Sequence, residues 1–222
     1  LQLLYATNGI WASTVISLMI VFHIFGGSVA VCAMLGALCM RKGAIWHRRF
    51  GRIYVHAMAV ALLLALAVSV LTANLFLLLI GLFSSYLIYT GWRLAIVKTG
   101  MQSSFDGVVI RLMLIVGVLM IGYGGYMSVS GDSLGIALLV LGVTGFVPAW
   151  SDLKRRGAWP KGKARIMEHL SRMGGGCIAT ITAVFVTNVQ TSPAFIAWLL
   201  PGVIGAVLLT YWSRRLSSDR AM

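Results

Sequence analysis

The sequence predicts an all-α, polytopic integral membrane protein: a single-domain, seven-transmembrane-helix bundle over residues 1–222, with its N-terminus outside and its C-terminus cytoplasmic. Three observations predict this. First, the 222 residues are 59% hydrophobic and only 10% charged, with a mean hydropathy of +0.94; one soluble core of this length does not hide that much apolar surface. Second, apolar runs of about 18 residues or more recur along the chain, the length at which a helix crosses a bilayer. Third, all 18 Lys and Arg residues fall on one side of the pattern those runs create, which orients the chain by the positive-inside rule.

The elements follow in order. Span one covers 13–40 and is stopped by Arg41 and Lys42. The preceding LQLLYATNGI lacks the basic region of a signal peptide, a reading compatible with trimming at that end. Span two covers 53–73 and span three 75–95; only Thr72, Ala73 and Asn74 join them, so they form a tight helical hairpin. Span four, 108–129, and span five, 133–150, are joined as closely through Ser130, Gly131 and Asp132. Span six covers 167–188 and span seven 194–212. Pro148 and Pro201 are expected to kink spans five and seven, and Pro160 to open span six.

The cations occupy connectors 41–52, 93–111 and 151–165 and the tail after 212, with Arg172 about two turns into span six from the same side. The other three connectors and the N-terminal segment carry none. A net charge of +13 would suggest nucleic acid in a soluble protein; confined to connectors, it encodes topology instead, and the expected partner is the lipid bilayer. The 151–165 connector, with KRRGAWPKGK, reads as a solvated basic loop touching anionic headgroups. Trp11, Trp46, Trp92, Trp150, Trp159 and Trp212, with Tyr5 and Tyr211, sit near span ends as an aromatic belt would. Tyr86, Tyr89, Tyr123 and Tyr126 are placed to hydrogen-bond between helices or line a cavity. Cys32, Cys39 and Cys177 fall inside apolar runs and read as small buried packing residues, with no disulfide framework.

An ionisable residue within a span is costly, which makes it a functional candidate. His23 lies 18 residues before Arg41, about 27 Å along a helix, and shares a face with Gly26, Gly27 and Ala30, either for close helix packing or to leave space for a flat ligand. His56 and His169 each follow a rim arginine (Arg52, Arg165) by four residues, about 6 Å in. Equal depth on two helices is the geometry of bis-histidine haem b ligation. The glycines 174–176 remove three side chains where a planar cofactor would lie, although tight helix packing is the favoured explanation for them. If span two is already helical at Trp46, His47 and His56 point to opposite faces; if the chain breaks near Gly51, both turn to one pocket. His47, His169, Glu168 and Asp152 also compose a donor set for zinc or another divalent ion. The alternative pairs Glu168 with Arg172 at helical spacing and Asp152 with its basic loop.

The segments HIFGGSVAVCAMLGALCMRKGAIWHRRFGRIYVHAM and EHLSRMGGGCIATITAVFVTN, followed by PAFIAWLLPGVIGAVLLTYW, resemble the two halves of a bacterial multi-pass membrane family, domain of unknown function 2306. The resemblance spans most of residues 20–212 and is most specific at KG…HRRFGR and HLSRM. It implies the bacterial inner membrane and histidines at His23, His47 and His169, with His56 outside the pattern. That favours a pocket containing His47 and His169 and brings no established activity. The leading expectation is therefore a redox-type, electron-transfer protein binding haem b or a metal ion at the cytoplasmic side. His169 is one ligand, His47 or His56 the other, and Arg172 balances haem propionates. His23, about 20 Å further out, marks a second polar site or a quinone or proton position. The alternatives are a small proton-coupled transporter or channel and a scaffold subunit bound to other membrane subunits, with a membrane-embedded metal hydrolase behind them.

Overall fold

Seven helices make up nearly all of the protein in a computed structural model, which describes residues 2–218, and side chains for residues 13–215. The side chains of the belt positions Tyr5 and Trp11, and the cation Arg220 altogether, thus lie outside the description. The helices are α1 (Gln2–Cys39), α2 (Ile45–Leu71), α3 (Leu75–Ile96), α4 (Ser104–Val129), α5 (Leu134–Lys154), α6 (Gly162–Asn188) and α7 (Phe195–Ser218). Each contains a stretch long and apolar enough to cross a membrane. Leucine, isoleucine and valine side chains stand exposed along them, as lipid-facing residues do. This is a multi-pass membrane protein.

Several helices begin before their apolar runs. α2 starts at Ile45 rather than 53, so the cations Arg48, Arg49 and Arg52 are already helical. α4 starts at Ser104 because Ser103 and Asp106 form a reciprocal capping box. α6 starts at Gly162 after Lys161, two residues beyond Pro160. Both expected hairpin turns are present. Asn74 Oδ1 accepts from Leu77 N at 3.0 Å, and Asp132 Oδ1 from Leu134 N at 2.9 Å.

The chain divides into two units, Leu1–Gly81 and Leu82–Met222. In the first, α1 packs along α2. In the second, α4 packs on α5 and α6 on α7, and residues 82–96 of α3 reach α4, α5 and α6 through side chains. α4 and α5 approach so closely that a Cβ on Gly124 would stand 2.8 Å from the Gly135 carbonyl oxygen.

The connectors of the second unit are more ordered than a solvated loop. Met101 and Ala158 form an antiparallel bridge, Gln102 N donates to Gly157 O (2.8 Å) and Trp159 N to Gly100 O (2.7 Å). Three positions differ from the aromatic-belt and cysteine readings. Trp159 is 2% exposed, a buried member of the second unit rather than an interfacial residue. Cys32 and Cys39 are exposed on α1 rather than buried, because that helix offers most of its surface outward.

Candidate functional site

The charged end of the second unit holds two buried carboxylates. Asp152, on the last turn of α5, is 0% exposed. Tyr86 of α3 donates to its Oδ2 at 2.7 Å, and Arg155 and Arg172 donate to Oδ1 at 3.1 Å each. Arg172, reaching in from α6, is 3% exposed. It also donates to Tyr86 Oη, to Glu168 Oε2 at 3.2 Å and to Pro148 O at 3.4 Å, and its guanidinium lies 5.2 Å from the Tyr86 ring centroid. Arg155 closes the cluster by donating to Glu168 Oε1 at 2.5 Å. Glu168 keeps 26% of its side chain exposed. A run of hydrogen bonds therefore leads from an accessible carboxylate to a buried tyrosine.

Asp106, also 0% exposed, organises the second cluster. Arg93 of α3 grips it from Nε (2.7 Å) and Nη2 (2.8 Å), Tyr89 Oη donates at 2.6 Å, Ser103 N at 2.7 Å and Trp159 Nε1 at 3.2 Å. A bidentate arginine with three further donors satisfies a carboxylate fully. The rings of Tyr86 and Tyr89 both line a cavity of about 190 Å³ between α3 and α4, with Leu82, Phe105, Val109 and Met113 among its walls. Two buried charges thus stand behind the two tyrosines of one apolar cavity.

Each of the four histidines has Nδ1 against a backbone carbonyl: His23 on Ala61 O (2.8 Å), His47 on Ala37 O (3.0 Å), His56 on Arg52 O (2.7 Å) and His169 on Gly91 O (2.8 Å). A carbonyl only accepts, so Nδ1 carries the proton, and at His23, His47 and His56 Nε2 is the nitrogen left for other chemistry. The α3–α6 contact behind His169 depends on Gly91, where a Cβ would stand 2.6 Å from Met173 Sδ and 3.0 Å from its backbone nitrogen.

These geometries revise the expected site. α2 is one helix from Ile45, so His47 and His56, nine residues apart, take opposite faces and make separate contacts. Among the described residues, no three His, Cys, Asp or Glu side chains gather as a metal site. Of the four expected metal donors, Asp152 and Glu168 are committed to Arg155 and Arg172, as the alternative pairing of Glu168 and Asp152 anticipates. That donor set does not fit a divalent ion. Arg172 is likewise occupied by carboxylates and a tyrosine, which removes the propionate partner that the haem expectation gives it. The second unit contains His169 as its one histidine. Space at the glycine run is filled: a Cβ on Gly174 would collide with Leu209 of α7, and one on Gly175 would stand 3.3 Å from Leu87. Those glycines serve packing.

Tyr86 and Tyr89 fulfil both roles open to them, bonding between helices and lining a cavity. Asp106 and Arg93 escape sequence reading. Their available signal is SSFD at 103–106, a serine followed three residues later by an acid at a helix start, with a lone arginine near the end of the preceding span. Comparison of the chain with family models, with curated proteins and with solved structures gives no match.

Proposed function

We propose that this protein is a proton-coupled transporter of the bacterial inner membrane, with its N-terminus outside and its charged connectors in the cytoplasm. In it, Glu168, Arg172, Asp152 and Tyr86 form the proton-handling site. The observation that carries this reading is the hydrogen-bonded run from partly exposed Glu168 to Tyr86, whose ring borders the α3–α4 cavity. Ionisable groups buried within spans mark ion and proton routes in membrane proteins. Glu168 and Asp152 share Arg172 Nη2, at 3.2 and 3.1 Å. Protonating one carboxylate releases the arginine toward the other, and Tyr86, held by both Asp152 and Arg172, carries that change to the cavity wall. In this role Glu168 takes up the proton, Asp152 holds it inside and Tyr86 senses it.

Proteoliposomes loaded with a pH-sensitive dye test the reading. A pH gradient should drive proton flux that Asp152→Asn lowers at least tenfold while the variant still purifies as a folded protein. Absence of flux in the wild type under both a pH gradient and a membrane potential would overturn it.

A second reading retains histidine ligation, because His23, His47 and His56 adopt the Nδ1–H to carbonyl arrangement that metal-ligating histidines use to orient Nε2. A quinone or another membrane subunit would be its electron partner. The absorption spectrum of purified protein before and after dithionite decides it: a Soret band that sharpens on reduction supports haem b, and a featureless spectrum removes it.

A further inference from the structure

The first unit has cations but no carboxylate of its own to set against them. It carries Arg41, Lys42, Arg48, Arg49 and Arg52 and no Asp or Glu, whereas Asp106, Asp152 and Glu168 of the second unit all have arginine partners. Lys42 Nζ caps α1 by donating to Leu38 O at 2.7 Å and Ala37 O at 3.3 Å. Arg49 lies 5.0 Å from the ring centroid of Trp46, an exposed indole of the kind found at headgroup level. Arg52 is exposed and has no carboxylate partner among the described residues.

Arg52 stands at one end of a groove of about 440 Å³ between α1 and α2, lined by Val29, Arg52, Ile53, His56, Ala57 and Val60. From Arg52 to Val60 is about 12 Å along the helix. The charged end holds a guanidinium and an imidazole whose Nδ1 is committed to Arg52 O, leaving Nε2 for a ligand. The rest of the groove is aliphatic. Cationic at one end and apolar along its length, it has the amphipathic profile of a phospholipid with an anionic head.

We propose that this groove is a binding site for one anionic glycerophospholipid. Its phosphate is held by Arg52 and His56, and an acyl chain lies against Val29, Ile53, Ala57 and Val60. The charge complementarity points to the anionic lipids of a membrane leaflet, which attract basic segments at the helix ends. The aliphatic length of the groove distinguishes a lipid from a free anion.

Native mass spectrometry of the full chain, released from micelles doped with phosphatidylglycerol or phosphatidylcholine, tests this directly. The wild type should retain phosphatidylglycerol about fivefold or more over phosphatidylcholine, one cation near the surface being worth about that factor. Arg52→Gln with His56→Gln should abolish the preference, while Lys98→Gln with Arg156→Gln, an equal number of polar substitutions elsewhere, should keep it. Val60→Phe, which fills the apolar part and leaves the charges intact, should lower phosphatidylglycerol retention on its own. Equal retention of the two lipids by the wild type, an unchanged preference in the Arg52/His56 variant, or equal competition by inorganic phosphate and by the intact lipid would each overturn the proposal.

Discussion

Asp106 accepts five hydrogen bonds, from Tyr89, Arg93 twice, Ser103 and Trp159, and is wholly buried. Replacing it strands a half-buried arginine, which costs about 3–5 kcal/mol when one partner of a buried pair is lost. Arg93 keeps 17% of its side chain exposed, so Asp106→Ala should fall near the lower end, seen as a reduced melting temperature in detergent. Trp159→Phe removes one of five donors and should cost about 1 kcal/mol. A larger loss would show that Trp159 holds the paired connectors together rather than merely satisfying Asp106. At Asp152 the two effects separate: Asp152→Asn keeps the shape and a hydrogen-bond acceptor for Tyr86 and Arg172. Its melting temperature should therefore fall less than that of Asp152→Ala, while proton flux is lost in both.

At the scale of elements, the glycines divide by what they face. A Cβ at Gly91 meets Met173 Sδ and backbone, so Gly91→Ala should push α6 away from α3 and cost about 1–3 kcal/mol by overpacking, loosening His169 from its carbonyl. Gly175→Ala meets only the Leu87 side chain at 3.3 Å and should cost well under that in the same thermal assay. Equal losses would mean that helix propensity or general crowding, not the α3–α6 contact, governs both. The spans were legible because apolar runs of bilayer length have few other uses, and the two hairpins because Thr72–Asn74 and Ser130–Asp132 leave no room for anything longer. Their charged ends were less legible. The starts of α2, α4 and α6 lie in polar sequence, where hydropathy falls away before the helix does. The pairing of Glu168 with Arg172 follows from spacing on one helix, but the convergence of Tyr86, Asp152 and Arg172 brings together residues 66 and 86 positions apart, and no local pattern encodes that.

For the whole molecule, charge is the organising variable. If the proposed orientation holds, single cysteines introduced at Thr72 and Ser130 in a background lacking the native thiols should react with an impermeant maleimide from outside intact cells. Those at Gly43 and Gly157 should react only after permeabilisation; the reverse pattern would invert the topology. The burial of Trp159 has an optical consequence. Among the described residues it is the one buried tryptophan, with its indole nitrogen on a carboxylate, while Trp46, Trp150 and Trp212 are exposed. Its emission should resist aqueous quenchers that extinguish surface indoles in detergent. Subtracting the spectrum of Trp159→Phe from that of the wild type would isolate a native light source beside Asp106, able to report rearrangement of the charged end without an added label.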